Sequence, residues 1–387
     1  MIVLSQKILN NIPTPSYVVD ENKIIKNLEI LDSVQKQTGC KILLAQKAFS
    51  MFALYPLIGR YLAGTAASGL FEAKLGREKM GGETHIYSPA YPEEDFDEIA
   101  QLCDYIIFNS FGQIKKFRGK TQNKQIGLRI NPEYSEIERD IYNPCSNNSR
   151  LGVKLSQIPV TRSKMKEIDG LHMHVMCEQN SDVLWRTIQI FDDEFGKYLK
   201  LANIKWVNFG GGHHITHEDY DIETLIKSIM FIKNKYNVEV YLEPGEAVAL
   251  NAGVLVAKIL DVVDNEKSDD EFPVAITDAS AACHMPDVLE MPYRPEIYGA
   301  GAPGEKRFSY RLGGNTCLAG DIIGDYSFEY KLIAGEKIIL GDMAHYTMVK
   351  NNMFNGIKLP SIVLLKKNGA AEIIKEFGYG DFIHRLS

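Results

Sequence analysis

Lys41-Ile42-Leu43-Leu44-Ala45-Gln46-Lys47-Ala48 is a short apolar run that ends in one lysine and a small residue. The run has strand length, which puts Lys47 at the strand's C-terminal tip. A lysine desolvated at such a tip is a Schiff-base former, because burial disfavours the ammonium and leaves a nucleophilic amine. The same residue also reads as a strand-end lysine whose stem lies along apolar surface while its head reaches water. The chain on either side decides between the two.

After a turn and an extended segment at 13–20, residues 21–34 carry apolar side chains at helical spacing (Ile24, Ile25, Leu28, Leu31, Val34). Strand-like runs then alternate with helix-length stretches. The strands fall at 41–46, 63–67, 84–88, 105–109, 125–130, 170–175, 204–209 and 238–242, with helices such as 93–102, 182–202 and 220–236 between them. Eight such units over about 230 residues predict a (β/α)8 TIM-like barrel; an open doubly wound sheet has the same alternation. The strand tips carry Lys47, Ser68, Ser88, Asn109, Arg129 with Asn131, His174, Gly210-Gly211-Gly212 and Glu243. Polar and glycine residues therefore gather at one end of nearly every strand, the end where a barrel carries its chemistry. Past Glu246 the alternation stops. Stretches 255–263, 272–276, 327–332 and 337–340 are β-rich, separated by Gly, Pro and the charged or Gly-rich loops 264–271 and 299–306. The expected organisation is a barrel over 13–250 and a C-terminal, mostly antiparallel β domain over 251–387 joined by residues 1–12.

The composition is that of a soluble globular chain: 387 residues, 45% hydrophobic, 24% charged. The net charge of −7, without a basic stripe, argues against nucleic acid as a partner. Six scattered cysteines without a CxxC pair argue against zinc ribbons and disulfide frameworks. No apolar run approaches the ~18 residues of a membrane span. The expectation is a cytoplasmic protein with no membrane partner.

Six stretches bear chemistry. Val207-Asn208-Phe209-Gly210-Gly211-Gly212 runs a strand into three glycines, which read as an anion cradle of backbone N–H groups or as a flexible turn; the pattern is not a GxGxxG fingerprint. His213, His214 and His217 follow, with His214 and His217 on one face if the segment is helical, but no HExxH pattern or spaced carboxylate makes a metal site of them. Glu243-Pro244-Gly245-Glu246 puts a carboxylate on an apolar strand tip, where it needs a cation: a protonated pyridine nitrogen, or an Arg or Lys. His174, at another tip, reads as a ring stacked on a flat cofactor or as a buried hydrogen-bonded histidine. In the second domain, Gly313 to Asp321 holds Cys317 between glycines, a mobile thiol or a small filler. Tyr346 follows Gly341-Asp342-Met343-Ala344-His345, as a phosphate-binding hydroxyl or as packing.

Taken together, the motifs AQKAFS, SGLFEAKLG, SRLGV, NFGGGHHIT, LEPGEAV, CHMPDVLEMPYRPEI, GNTCLAGDIIGDY and GDMAHYTMVKNNMFNG resemble the fold type III pyridoxal-phosphate decarboxylases, an alanine-racemase-like barrel plus β domain. The resemblance covers nearly the whole chain and is nearest to the carboxynorspermidine/carboxyspermidine decarboxylase branch. It implies that Lys47 holds pyridoxal 5'-phosphate as a Schiff base, that His174 stacks on the ring with Arg129 supporting it, and that Gly210, Gly211 and Gly212 cradle the phosphate with Tyr346. It further implies that Glu243 pairs with the ring nitrogen. Cys317, from the second subunit of a homodimer with shared active sites, would reprotonate the substrate carbon. The chain departs from ornithine- and diaminopimelate-type relatives at Glu246, where they carry arginine, and at Leu318, where they carry an acid. Both changes point to a different substrate end. A polyamine substrate's ammonium groups need carboxylates, and Glu246, Asp287, Glu290 and Asp321 are the candidates. The alternatives are a diaminopimelate- or ornithine-type decarboxylase, an amino-acid racemase of the same fold, for which an arginine rather than Glu243 would face the ring nitrogen, and a non-catalytic cofactor carrier, which would resemble the barrel alone.

Overall fold

A computed structural model describes residues 1–158, 165–202, 204–264 and 272–387. Strands are numbered along the chain. β1 is Ser16–Asp20; β2 to β6 are Lys41–Ala45, Gly64–Ala67, Glu83–Tyr87, Tyr105–Phe108 and Gln125–Asn131; β7 is the two-residue Val153–Lys154; β8, β9 and β10 are Gly170–His172, Trp206–Asn208 and Glu239–Leu242. Parallel pairing runs β2-β3-β4-β5-β6-β8-β9-β10, and β10 pairs back to β2. The ring is closed, so it is an eight-stranded barrel and not an open sheet; β7 only extends the end of β6.

The reason lies in the side-chain pattern. Leu43, Ala66, Ile107, Trp206 and Tyr241 meet as one buried cluster. Trp206 fits only because Gly170 stands opposite, where a Cβ would lie 2.0 Å from the indole. Lys41, Glu83 and Glu239 each begin a strand, and Lys41 Nζ pairs with Glu83 at 2.6 Å and Glu239 at 3.0 Å. This ion cluster sits at the N-terminal ends of the strands, leaving the opposite ends for chemistry. Helix Ser181–Ala202 buries Leu184, Ile188, Phe191, Phe195 and Leu199, a stripe of three- and four-residue steps. The barrel unit comprises residues 26–248.

The second unit comprises residues 1–25 and 249–387. Its strands are β11 (Gly253–Val263), β12 (Val274–Thr277), β13 (Phe308–Gly313), β14 (Ile322–Phe328), β15 (Lys337–Leu340), β16 (Ser361–Leu365) and β17 (Ala371–Lys375). They form a mixed, mostly antiparallel sheet in the order β14-β13-β12-β11-β1-β16-β17, with β15 also on β11; only the β1–β16 and β12–β13 pairs are parallel. Residues 13–25, grouped from the sequence with the barrel, belong to this unit, because β1 is hydrogen-bonded between β11 and β16. Alternation along β1 sends Tyr17 into a core with Leu255 and Leu340, and Val18 into a core with Val254 and Val363. The predicted stretch 327–332 is strand only to Phe328, while β13, β16 and β17 are strands that the sequence reading lacks. Of the predicted loop 264–271, residues 265–271 lie outside the described residues. Among the described residues no helix is long and apolar enough to cross a membrane.

Candidate active site

Lys47 lies just past the end of β2, and the backbone before it is clamped. The buried Gln46 donates its side-chain amide to the Glu72 carbonyl (2.8 Å), accepts the Tyr55 hydroxyl (3.1 Å), and offers its carbonyl to Ser50 Oγ (2.6 Å). The Lys47 side chain remains accessible to water although protein surrounds it closely. That crowding, with the Arg129 guanidinium nearby, holds its amine below the usual lysine range; the acidic neighbours Glu243 and Glu72 oppose the shift only in part. Among the described residues Lys47 makes no ion pair and no hydrogen bond.

Glu243 follows β10 directly. Asn208 ends β9 and His172 ends β8, so three successive tips converge. Glu243 Oε1 accepts from Asn208 Nδ2 at 2.7 Å, and Oε2 stands 3.3 Å from His172 Nε2. The carboxylate's side chain is 14% exposed. Burial pushes its pKa up, but His172, His85 and the Asn208 bond outweigh burial and bring it down to about 2. His172 is itself held below the usual histidine range by burial, against the pull of Glu243. It therefore serves Glu243 as a neutral Nε2–H donor, with Nδ1 buried and unbonded. No lysine or arginine among the described residues is ion-paired to Glu243.

The glycine run brings two tips together. Gly210 has φ +67°, and a Cβ there would lie 2.5 Å from the Met173 carbonyl and 2.7 Å from His174 Cβ. Its N–H bonds Asn208 Oδ1 (2.8 Å), and the Gly211 N–H bonds His174 Nδ1 (2.8 Å). Two of the three amides expected to cradle a phosphate are thus already bonded within the protein. The bond at Nδ1 makes His174 a neutral Nε2–H tautomer. Burial first, then the cationic neighbours Lys47 and Arg129, keeps it well below the usual histidine range. Arg129, 5% exposed, donates to the His174 carbonyl at 3.2 Å and lies with Cζ 4.5 Å over the Tyr87 ring.

Glu246 is held 3.2 Å from His214 Nε2. His214 and His217 stack at 5.0 Å, but their segment is turn and bend, so the expected shared helical face does not form.

In the sheet unit, Cys317 is exposed on the loop between β13 and β14, its N–H bonded to Asn355 Oδ1 at 2.8 Å. Asp321, 3% exposed, anchors this loop and is not a free acid for a substrate amine. It accepts from Ser280 Oγ (2.8 Å), the Ala282 N–H (3.1 Å), the Thr316 N–H (3.3 Å) and Thr316 Oγ1 (2.7 Å). Asp287 (2.5 Å) and Glu290 share one cation, Lys350. Tyr346 takes a positive φ of +54° and meets the His345 ring edge-on at 5.9 Å.

Sequence reasoning passed over Gln46, Tyr87, His172 and Asn208. Gln46 and Asn208 stood inside quoted stretches, and for His172 and Asn208 a signal was available: each is polar at the tip of an otherwise buried strand.

A closed parallel barrel with Lys47 and Glu243 at its C-terminal face, together with a β-sheet unit, defines the class of fold type III pyridoxal enzymes. Residues 16–344 match the family described as "Pyridoxal-dependent decarboxylase, C-terminal sheet domain", and the chain belongs to this family of pyridoxal-dependent decarboxylases. It is 44% identical over 382 residues to a carboxynorspermidine/carboxyspermidine decarboxylase of Campylobacter jejuni, covering 96% of this chain and 98% of that one. It is 40% identical over 387 residues to a carboxyaminopropylagmatine decarboxylase of Synechocystis, covering 99% and 98%. Among solved structures, carboxynorspermidine decarboxylase from Campylobacter jejuni complexed with norspermidine superposes with a TM-score of 0.89 at 43% identity, covering 97% of this chain and all of that one. The barrel residues fit the family's cofactor: among the described residues Lys47 makes no ion pair or hydrogen bond, Glu243 is ion-paired to no lysine or arginine, and His174 is a flat ring fixed by the Gly211 N–H.

Proposed function

We propose that this chain decarboxylates carboxynorspermidine, carboxyspermidine or both, as a cytoplasmic homodimer with shared active sites. The observation that carries the reading is Glu243, an acid held at the barrel end by His172 and Asn208 with no Arg or Lys ion-paired to it among the described residues. A racemase of this fold calls for a guanidinium facing the ring nitrogen, so Glu243 favours decarboxylation.

When bound, pyridoxal phosphate supplies the electron sink for loss of the carboxylate. Lys47 is the amine that holds it, made nucleophilic by crowding and by Arg129. Glu243 would hold the ring nitrogen protonated and His174 would pack on the ring, its backbone fixed by Arg129. Gly210 to Gly212 shape the phosphate end; among the described residues the Gly212 N–H is the one amide of the three without a partner, and Tyr346 is assigned to the same phosphate. Cys317 of the partner subunit would supply, from Sγ, the proton that replaces the lost carboxylate. Asp287 and Glu290 carry two negative charges against the single positive charge of Lys350, which leaves a net acid for a substrate ammonium; Glu246, shared with His214, is the acid at the barrel end. Six cysteines without a disulfide among the described residues suit a reducing compartment.

The test is CO2 release from carboxynorspermidine, carboxyspermidine, carboxyaminopropylagmatine, diaminopimelate and ornithine. The first two are expected to lead. A clear preference for either short diamino acid would sink the reading. The 40% identity over 99% of the chain makes carboxyaminopropylagmatine, with its guanidinium end, the second reading, and its dominance in the panel would establish it. Borohydride trapping is expected to label Lys47, and Lys47→Ala to remove the label. Cys317→Ala is expected to retain cofactor colour with turnover greatly reduced.

A further inference from the structure

We propose that Tyr87 is a positioning residue: its ring face holds the Arg129 guanidinium off Glu243, so that the carboxylate stays available to the ring nitrogen. This rests on the pyridoxal reading above. Arg129 is 5% exposed, and buried charges are ordinarily paired. Glu243 is close enough to favour the charged form of Arg129, yet the two make no ion pair among the described residues. Tyr87 supplies the alternative. Its ring lies 4.5 Å from Arg129 Cζ, a desolvated cation–π contact, and is near-parallel to His172, at 5.5 Å and 21°. The same tyrosine thus touches the cation that could neutralise Glu243 and the imidazole that donates to it.

The ring is also anchored at its far end. Tyr87 Oη donates to Asn109 Oδ1 at 2.7 Å, the same oxygen accepts the Gly152 N–H at 2.6 Å, and Asn109 Nδ2 donates to the Arg150 carbonyl at 2.8 Å. Arg129 is also linked to the Tyr87 hydroxyl, so removing ring and hydroxyl together leaves a buried guanidinium with the His174 carbonyl as its hydrogen-bond partner among the described residues. The acid that already influences it is Glu243, and an Arg129–Glu243 pair would occupy the carboxylate that the ring nitrogen needs.

The experiment compares wild type, Tyr87→Phe and Tyr87→Leu as holoenzymes, measuring kcat, KM and the visible absorption of the bound cofactor. Tyr87→Leu is expected to lose on the order of tenfold in kcat, with KM within about twofold of wild type and the absorption band displaced. Tyr87→Phe keeps the face and loses the hydroxyl's bonds, and is expected to stay much nearer wild type than Tyr87→Leu in all three; if Tyr87→Leu does not fold, Tyr87→Met is measured instead. The proposal is overturned if the non-aromatic variant matches wild type, if its kcat falls while the band stays in place, or if Tyr87→Phe is equally impaired. A wild-type chain that takes up no pyridoxal phosphate would instead remove the underlying reading.

Discussion

Asn208 ties the glycine run to the acid: its Nδ2 donates to Glu243 at 2.7 Å while its Oδ1 takes the Gly210 N–H at 2.8 Å. One amide therefore sets both the carboxylate's orientation and the turn that positions His174. A hydrogen bond to a charged group contributes about 1.5–3 kcal/mol. Asn208→Ala is expected to lower kcat/KM by about tenfold to a hundredfold. Unchanged kinetics would show that Glu243 is held without it.

Acid should weaken the fold through Glu243. Its pKa falls from 4.5 to about 2 on folding, so between those values the unfolded chain binds the extra proton. The stabilisation is complete above about pH 4.5 and is lost as the pH falls towards about 2, amounting to about 3 kcal/mol. Denaturant midpoints followed from about pH 6 to about pH 2 should fall more steeply for wild type than for Glu243→Gln. Parallel curves would contradict this.

Asp321 anchors the loop that carries Cys317, through Ser280, Ala282 and Thr316. Asp321→Ala strands these donors and should destabilise the chain by about 3 kcal/mol. It should also cut turnover while cofactor retention, read by absorbance, is unaffected. Retained turnover would mean that Cys317 needs no fixed loop.

Asp287 shares Lys350 with Glu290. Asp287→Asn leaves that site neutral, and KM for carboxynorspermidine should rise about fivefold with kcat little changed, a surface-type charge effect that added salt reduces. An unaltered KM would assign the pair to structure alone.

The barrel was legible because each of its strands is a short apolar run with a helix-length stretch after it, so periodicity alone located all eight to within three residues at either end. The sheet was less so. β1 pairs with residues about 240 and 345 positions away, and nothing local in Ser16–Asp20 distinguishes such a strand from a first barrel strand. In the site, Lys47 and Glu243 stood out because a charge at an apolar tip is costly and demands a partner. Asn208 and His172 did not, since a neutral polar side chain carries no such demand until its neighbour is known. Asp321 misled for the same reason: it closes a Gly-rich loop, while two of the residues that bond it, Ser280 and Ala282, lie about 40 residues upstream.

The pairing of β1 with β16 also sets an order on synthesis. All eight barrel strands have left the ribosome once Leu242 has emerged, whereas Ser16–Asp20 must wait for Ser361–Leu365 before its second edge is covered. This early strand is thus among the last to gain both its partners, and the barrel can form while it is still unpaired.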